Sequence, residues 1–369
     1  MLALREIQRG KGRFATIVGA LSLIVFLVLV LGALADGLFF GATGAVRTTS
    51  ATAYVFSEEA EGSFVRSRLD ESDVAAVAAA PGVTAANPLG LLLTGGTGPE
   101  GAVDLAVFGL IPGGVGYPTK VTEGRLPAID EPGTAAVDEV LRDSGVVLGS
   151  TVAVGDVPAT VVGFVADSEY QLQPTLWTSV TTWRAMRDAV RPELRGQPTV
   201  INAIAITTTT ESDDALAAIA AAVPGTAVLS AEATGLAIPG VEQQSSTLNS
   251  IIYTTLAVAA LVVALFFALV VLEKRELFAA LKALGASTGR LGRGVIVQAI
   301  FASALGVVIG AVVARLFDLI IPAGVPTLYR TETLITIAVF TLVAGVVGAL
   351  FSLRRIAKID PATAIGGVI

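Results

Sequence analysis

Four stretches of this chain are apolar for longer than a bilayer is thick. Phe14 to Ala35, Gly294 to Ala314 and Thr333 to Leu353 contain no charged side chain, and Ser245 to Leu272 contains no ionisable group except Tyr253. A helix needs roughly 20 apolar residues to cross about 30 Å of hydrocarbon. The pattern therefore predicts spans over 14–35, 246–272, 294–314 and 333–353. The third carries Gly306-x-x-x-Gly310, which permits close helix packing. Just beyond it, Arg315 and Asp318 stand one turn apart and can pair. Ala33-Leu34-Ala35 resembles a signal-peptidase site, yet signal-peptide apolar cores run only about 7–15 residues, shorter than this run.

The long segment between the first two spans, 36–245, is patterned differently and is large enough for a core of its own. Its two ends echo each other. AYVF followed by ESDVAAVAAAPGVTA (Glu71 to Ala85) is matched by AIAIT followed by ESDDALAAIAAAVPGTAV (Glu211 to Val228). Each reads as strand, helix, Pro-Gly stop, strand, with Ser72 and Ser212 placed to cap the helices and aspartates suiting the dipole. Two such units predict an α/β part over about 50–100 and 198–235. Between them, 101–197 is rich in Val, Gly, Pro and Thr with strand-like runs such as DLAVFGL, STVAVGD and ATVVGFVAD. It reads as a mostly β insertion. Glu123, Arg125, Asp138 and Glu139 fit exposed strand-end charges better than a hydrolytic site, and Trp177 and Trp183 read as core or interface anchors.

Between the second and third spans lies EKRELFAALKALGASTGRLGR (Glu273 to Arg293), with five cations and two anions. Leu277, Phe278, Leu281 and Leu284 recur at helical spacing, so a short amphipathic helix with one apolar face is expected, stopped by Gly285. The terminal segments 1–13, with Arg5, Arg9, Lys11 and Arg13, and 354–369 are also basic. Together the three short segments sum to +8, whereas 36–243 sums to −15 and 315–332 is neutral. Basic loops beside spans face the cytoplasm. The split predicts both termini inside and the large domain outside, with 1–13 either lying on anionic headgroups as an interfacial helix or serving only as a basic flank that orients the first span.

Composition narrows the chemistry. Only 15% of the residues are charged and mean hydropathy is +0.76, against about 25% charged for a soluble domain. The chain has neither cysteine nor histidine, which removes disulfides, thiol chemistry and the commonest general base and metal ligand. No G-x-x-x-x-G-K-[ST] loop is present, so ATP hydrolysis is not expected in this polypeptide.

The segment Arg275, Glu276, Phe278, Leu281, Lys282, Ala283, Leu284, Gly285, Ala286, Ser287 resembles the cytoplasmic coupling segment of FtsX-like permeases, the MacB-type membrane subunits of ABC transporters. KIDPATAI (Lys358 to Ile365) is similar to that family's closing motif. Landmarks of the outer domain, EGRLP (Glu123 to Pro127) and LGSTVAV (Leu148 to Val154) among them, fit the same family. The opening REIQRGKGRF and PGVTAANPLG (Pro81 to Gly90) look most like the heme-exporter permeases of the HrtB kind and the DevC group. The resemblance implies an α-helical membrane protein of four transmembrane helices with a large extracytoplasmic α/β domain carrying a mostly β insertion. It also implies a homodimer in the cell membrane, served by two copies of a separate ATPase subunit that binds the ATP, with no nucleic-acid partner. High alanine and glycine usage suits a bacterium with GC-rich DNA. Arg275, Glu276, Phe278, Leu281, Lys282, Leu284, Gly285 and Ala286 would transmit the ATPase motion. Export of a hydrophobic or amphipathic compound is the expected activity, heme first among cargoes. An FtsX-like regulator of cell-wall hydrolases and a Lol-like lipoprotein-releasing machine are the alternatives.

One polar stripe enters the second span. Glu242, Ser246, Asn249 and Tyr253 fall at 0, 4, 7 and 11 and share a helical face. With Phe39 and Phe40 at the outer end of the first span, they form the expected substrate-contact set. Interfacial anchoring and helix–helix hydrogen bonding are the simpler reading of the stripe.

Overall fold

The computed structural model describes residues 11–196, 200–273, 275–284, 286–322 and 324–357. Most of the expected interfacial helix over 1–13 and the closing segment from Lys358 onward lie outside the described residues. The chain forms two compact units, one from residues up to Gly37 and from Ser245 onward, the other from Leu38 to Gln244.

The first unit holds four helices long and apolar enough to cross a membrane: α1 (Lys11–Arg47), α6 (Val241–Glu273), α8 (Thr288–Asp318) and α9 (Thr331–Ala357). Helices α1 and α6 continue well past the expected span limits at Ala35 and Ser246, into the second unit. Small residues let the helices approach. A Cβ on Gly306 would lie 2.9 Å from the Leu21 Cβ, and one on Gly310 2.9 Å from the Ser22 carbonyl oxygen, so the glycine pair seats α8 on α1. Gly348 does the same for α9 against Ala264 of α6. At the end of this unit, Thr333 donates to Asp36 at 2.5 Å, and Leu328 N–H reaches the Ala33 carbonyl. Arg315 and Asp318 stand 3.9 Å apart, an exposed and weak pair.

The second unit is built on a sheet that runs, in spatial order, through strands at residues 226–230, 53–57, 203–208, 83–98, 101–110, 175–179, 134–138, 157–165 and 121–124. Its first half comprises β1 (Ala53–Ser57), β3 (Val83–Gly98), β11 (Ala203–Thr208) and β12 (Thr226–Ser230), with α2 (Asp73–Ala78) and α4 (Asp213–Ala222) on one face. The two echoing segments thus interlock as split β-α-β units, each helix crossing over a strand of the other. Ser212 caps α4 by accepting from Ala215 N–H. Ser72 does not cap α2: it sits in helical conformation, and Asp73 instead accepts from Asp70 N–H. A separate two-stranded antiparallel sheet pairs β2 (Leu69–Asp70) with β10 (Val200–Ile201).

The β-rich half starts earlier than the sequence pattern suggests. β3 pairs with β11 up to Leu89 and with β4 (Gly101–Leu110) from Gly90 onward, so one strand serves both halves and the junction falls at Gly90, not at residue 101. β4 continues to β9 (Thr175–Ser179), β6 (Thr134–Asp138), β8 (Val157–Val165) and β7 (Thr151–Val154). β7 returns to β3 at Thr97–Ala153, which closes six strands into a ring, and β5 (Val121–Gly124) extends β8 outside it. Closure removes most free strand edges. Helix α3 (Val180–Val190), capped by Ser179, plugs the ring with Trp183 and Met186.

Trp183 lies directly on two glycines. A Cβ at Gly109 would fall 2.2 Å from the Trp183 Cβ, and one at Gly90 2.4 Å from its indole. Overpacking of this kind costs about 1–3 kcal/mol. Gly109→Ala should therefore lower the thermal midpoint of the purified protein, followed by tryptophan emission; an unchanged midpoint would contradict this packing.

Candidate functional site

A core of aromatic rings fills the second unit between its halves. Phe64 lies edge-on to Phe56 (4.9 Å between centroids) and Tyr170 (5.9 Å), and Phe108 stacks on Trp177 at 4.5 Å. Ala42, Ala45 and Val46 of α1 and Val241 of α6 belong to this same core. Both helices that leave for the membrane are rooted there.

The root of α1 is a clasp of backbone hydrogen bonds. Gln171 N–H donates to the Ala42 carbonyl and Leu172 N–H to the Gly41 carbonyl, while Ala45 N–H donates to the Glu169 carbonyl, all at 2.9–3.0 Å. This closeness depends on GATGA (Gly41 to Ala45). A Cβ at Gly44 would sit 2.5 Å from the Asp167 carbonyl oxygen, and one at Gly41 2.8 Å from Leu172. The gripping loop is strained. Gln171 and Leu172 occupy the centre of a tight turn with φ of +52° and +63°, and Asp167 has φ +53°. Such turns favour Asn-Gly; left-handed backbone at a branched residue costs on the order of 1–3 kcal/mol.

The loop is anchored from behind. Asp138, at the end of β6, is 2% exposed and accepts from Val140 N–H, Ser168 N–H and Ser168 Oγ–H. Thr175 bridges Ser168 to the Trp177 indole N–H, each contact at 2.7 Å. Asp138 is therefore not the exposed strand-end charge its sequence context suggests but the post that fixes the loop. Burial pushes its carboxyl up, against these donors. Glu169 is half-buried beside Gly41, and burial, then the neighbouring Asp138 and Asp167, push its carboxyl up to about 7. Asp167 itself is paired with Lys120 at 2.6 Å.

The expected coupling segment forms α7 (Arg275–Ala283), but its apolar residues do not share one face. Phe278 and Ala279 are buried in the membrane unit with Val271 and Val295, and Leu281 and Lys282 are half-buried. Leu277, Ala280 and Leu284 point outward; Leu284 is 84% exposed. Leu277, Ala280 and Leu284 recur at i, i+3 and i+7 and share the face turned away from the bundle, while Phe278 and Ala279 lie on the side that the bundle meets. Glu276 is exposed and Ala286 N–H closes back on the Leu281 carbonyl. Gly285 and the Arg275 side chain lie outside the described residues. Ser287 then caps α8 by accepting from Arg290 N–H.

The expected substrate set is only partly gathered. Glu242, Ser246, Asn249 and Tyr253 do lie along one face of α6 and are exposed, Tyr253 at 69%. Phe39 and Phe40 meet edge-to-face at 5.5 Å, and the Arg47 guanidinium covers Phe40 at 4.0 Å. That cation occupies a ring face otherwise available for stacking.

Residues 14–226 match the MacB-like periplasmic core domain and residues 249–361 the FtsX-like permease C-terminal domain. Two uncharacterized ABC transporter permeases of Mycobacterium tuberculosis are 30% and 27% identical to this chain, each alignment covering 99% of both sequences. A putative hemin transport system permease protein HrtB of Staphylococcus haemolyticus is 30% identical over 36% of this chain and 37% of its own length. The periplasmic region of MacB from Actinobacillus actinomycetemcomitans aligns in structure over 51% of this chain and 92% of its own, at 14% identity and a TM-score of 0.36.

Glu169 gives a pH signature. Its folded value exceeds the roughly 4.3 of a free glutamate, so the neutral carboxyl stabilises the fold at low pH and that contribution is lost as pH rises through about 7. The thermal midpoint should fall between pH 5 and 8, and Glu169→Gln should remove most of the fall; an identical slope in the variant would contradict the burial of Glu169. Together, the four spanning helices, the split β-α-β domain with its β-rich ring, and the full-length match to relatives place this chain in the FtsX-like, MacB-type family of ABC transporter permeases.

Proposed function

We propose that this permease is the membrane subunit of an ATP-driven exporter, acting as a homodimer with two copies of a separate ATPase subunit. Its termini and α7 lie in the cytoplasm. The observation that carries this reading is α7 itself: a short helix between two spans, fixed to the bundle by Phe278 and Ala279, with Leu277, Ala280 and Leu284 left on its outer side among basic neighbours. An apolar ridge of that kind suits a protein groove. Motion delivered to α7 would enter the bundle at Val271 and Val295. Helices α1 and α6 would carry it to the aromatic core of the outer domain, where the clasp holds α1.

Because Leu277 and Leu284 are exposed, aspartate there leaves the bundle intact but places a charge in an apolar contact, a loss of several kcal/mol if the charge is fully buried. Leu277→Asp and Leu284→Asp should insert and melt normally, yet stimulate the ATPase at least tenfold less in reconstituted complexes. Full stimulation by both would remove α7 as the docking element.

Heme is the cargo we favour. The relatives named as hemin transport permeases support it, and the exposed stripe offers the Tyr253 and Glu242 oxygens in a chain without histidine. Titration of heme into the purified protein should give a saturable Soret shift that weakens in Glu242→Ala or Tyr253→Phe. No saturable shift in the wild type would exclude heme; a shift unaffected in both variants would exclude the stripe.

A further inference from the structure

The outer domain carries −15 between residues 36 and 243, yet four of its ten cations, Arg184, Arg187, Arg191 and Arg195, fall within twelve residues. Arg184, Arg187 and Arg191 recur at helical spacing along and just past α3. Against that stretch lies a cleft of about 310 Å³ at the junction of the domain's two halves, where β3 passes from one to the other at Leu91 and Leu92. Its volume is within the range of small-ligand sites, which favour such junctions.

The lining is divided by chemistry. Leu91, Leu92 and Trp183 supply an apolar floor, and Arg68, Arg187 and Arg191 supply the charge, with Glu193 the one carboxylate among the lining residues. Arg187 is committed: it bonds Asp188 at 2.7 Å and covers the Trp183 ring at 5.4 Å. Arg68 donates only to the main-chain carbonyls of Val65 and Ser67. Neither Arg68 nor Arg191 is matched to a carboxylate among the described residues. The Trp183 indole Nε1 is itself buried without an acceptor among the described residues. A buried indole N–H ordinarily finds a partner. The oxygens of an anion are charged acceptors of a kind that neither Arg68 nor Arg191 has among the described residues.

We infer that this cleft binds an amphipathic organic anion, a carboxylate or phosphate monoester whose short apolar body lies on Leu91, Leu92 and Trp183 while its head group meets Arg68 and Arg191. The site lies in the extracytoplasmic domain and is separate from the α6 stripe, so it stands independently of which cargo the transporter exports.

Trp183 and Trp177 are the only tryptophans in the chain, which makes intrinsic emission a local reporter. Full-length protein in phosphatidylcholine nanodiscs would be titrated with hexanoate, hexyl phosphate and, as the uncharged comparison, hexanol. At least one of the two anions should change the emission saturably and hexanol should not. In the double variant Arg68→Gln/Arg191→Gln, both at exposed positions, the affinity should drop tenfold or more while the thermal midpoint stays at the wild-type value. Absence of a saturable response to both anions, an equal response to hexanol, or a loss under tenfold in the double variant would overturn the assignment.

Discussion

Where α1 meets the outer domain, two polypeptide backbones come so close that no side chain fits between them. The carbonyls of Gly41 and Ala42 receive N–H groups from a strained turn, and Ala45 N–H is taken by Glu169 in return. Backbone-to-backbone bonding leaves no rotatable side chain in the linkage, and a turn with two left-handed residues has few other conformations. Behind the turn, Ser168, Thr175 and Trp177 tie it to Asp138 and so to the β-rich ring. The helix end is thereby tied to the ring's own strands. The aromatic core around Phe64 and Phe108 fills the space between the two halves and leaves little slack.

The same logic holds in the membrane unit, with glycine again setting the distances. Gly306 and Gly310 seat α8 on α1, and Gly348 seats α9 on α6. In lipid, apolar burial does not by itself drive helices together, so close packing of small residues carries the association. Phe278 extends this packing to α7, which is thereby joined, through packed helices, to α1.

Much of this was legible in the chain. The spans could be read because 20 or so apolar residues without charge have few other uses, and the echoed ESD…PG segments do become interlocked β-α-β units. The GxxxG pair on the third span does what its spacing implied. Other features depended on tertiary context. The junction between the halves lies inside one strand, β3, whose composition does not change at Gly90. Periodicity put Leu277 and Phe278 on one face of α7; the structure divides them, since one side of the helix is met by the bundle. Asp138 looked like a surface charge because nothing in its neighbourhood announces Ser168, thirty residues on. The GATGA run was the available signal for the clasp, although small residues at the end of a span carry no information about what approaches them. Gln171 and Leu172 could not be foreseen at all, as neither is a residue that turns of this hand prefer.

The outer domain holds α1 by its backbone. Hydrogen exchange of the full-length protein in nanodiscs measures this directly at the amides of Ala45, Gln171 and Leu172. Although Gln171 and Leu172 sit at the tip of a turn, all three amides should exchange as slowly as those of the β4 and β9 strands, and Gly44→Ala should release them together. Exchange of Gln171 and Leu172 at the rate of an exposed loop in the wild type would show that the helix end is not held in this way.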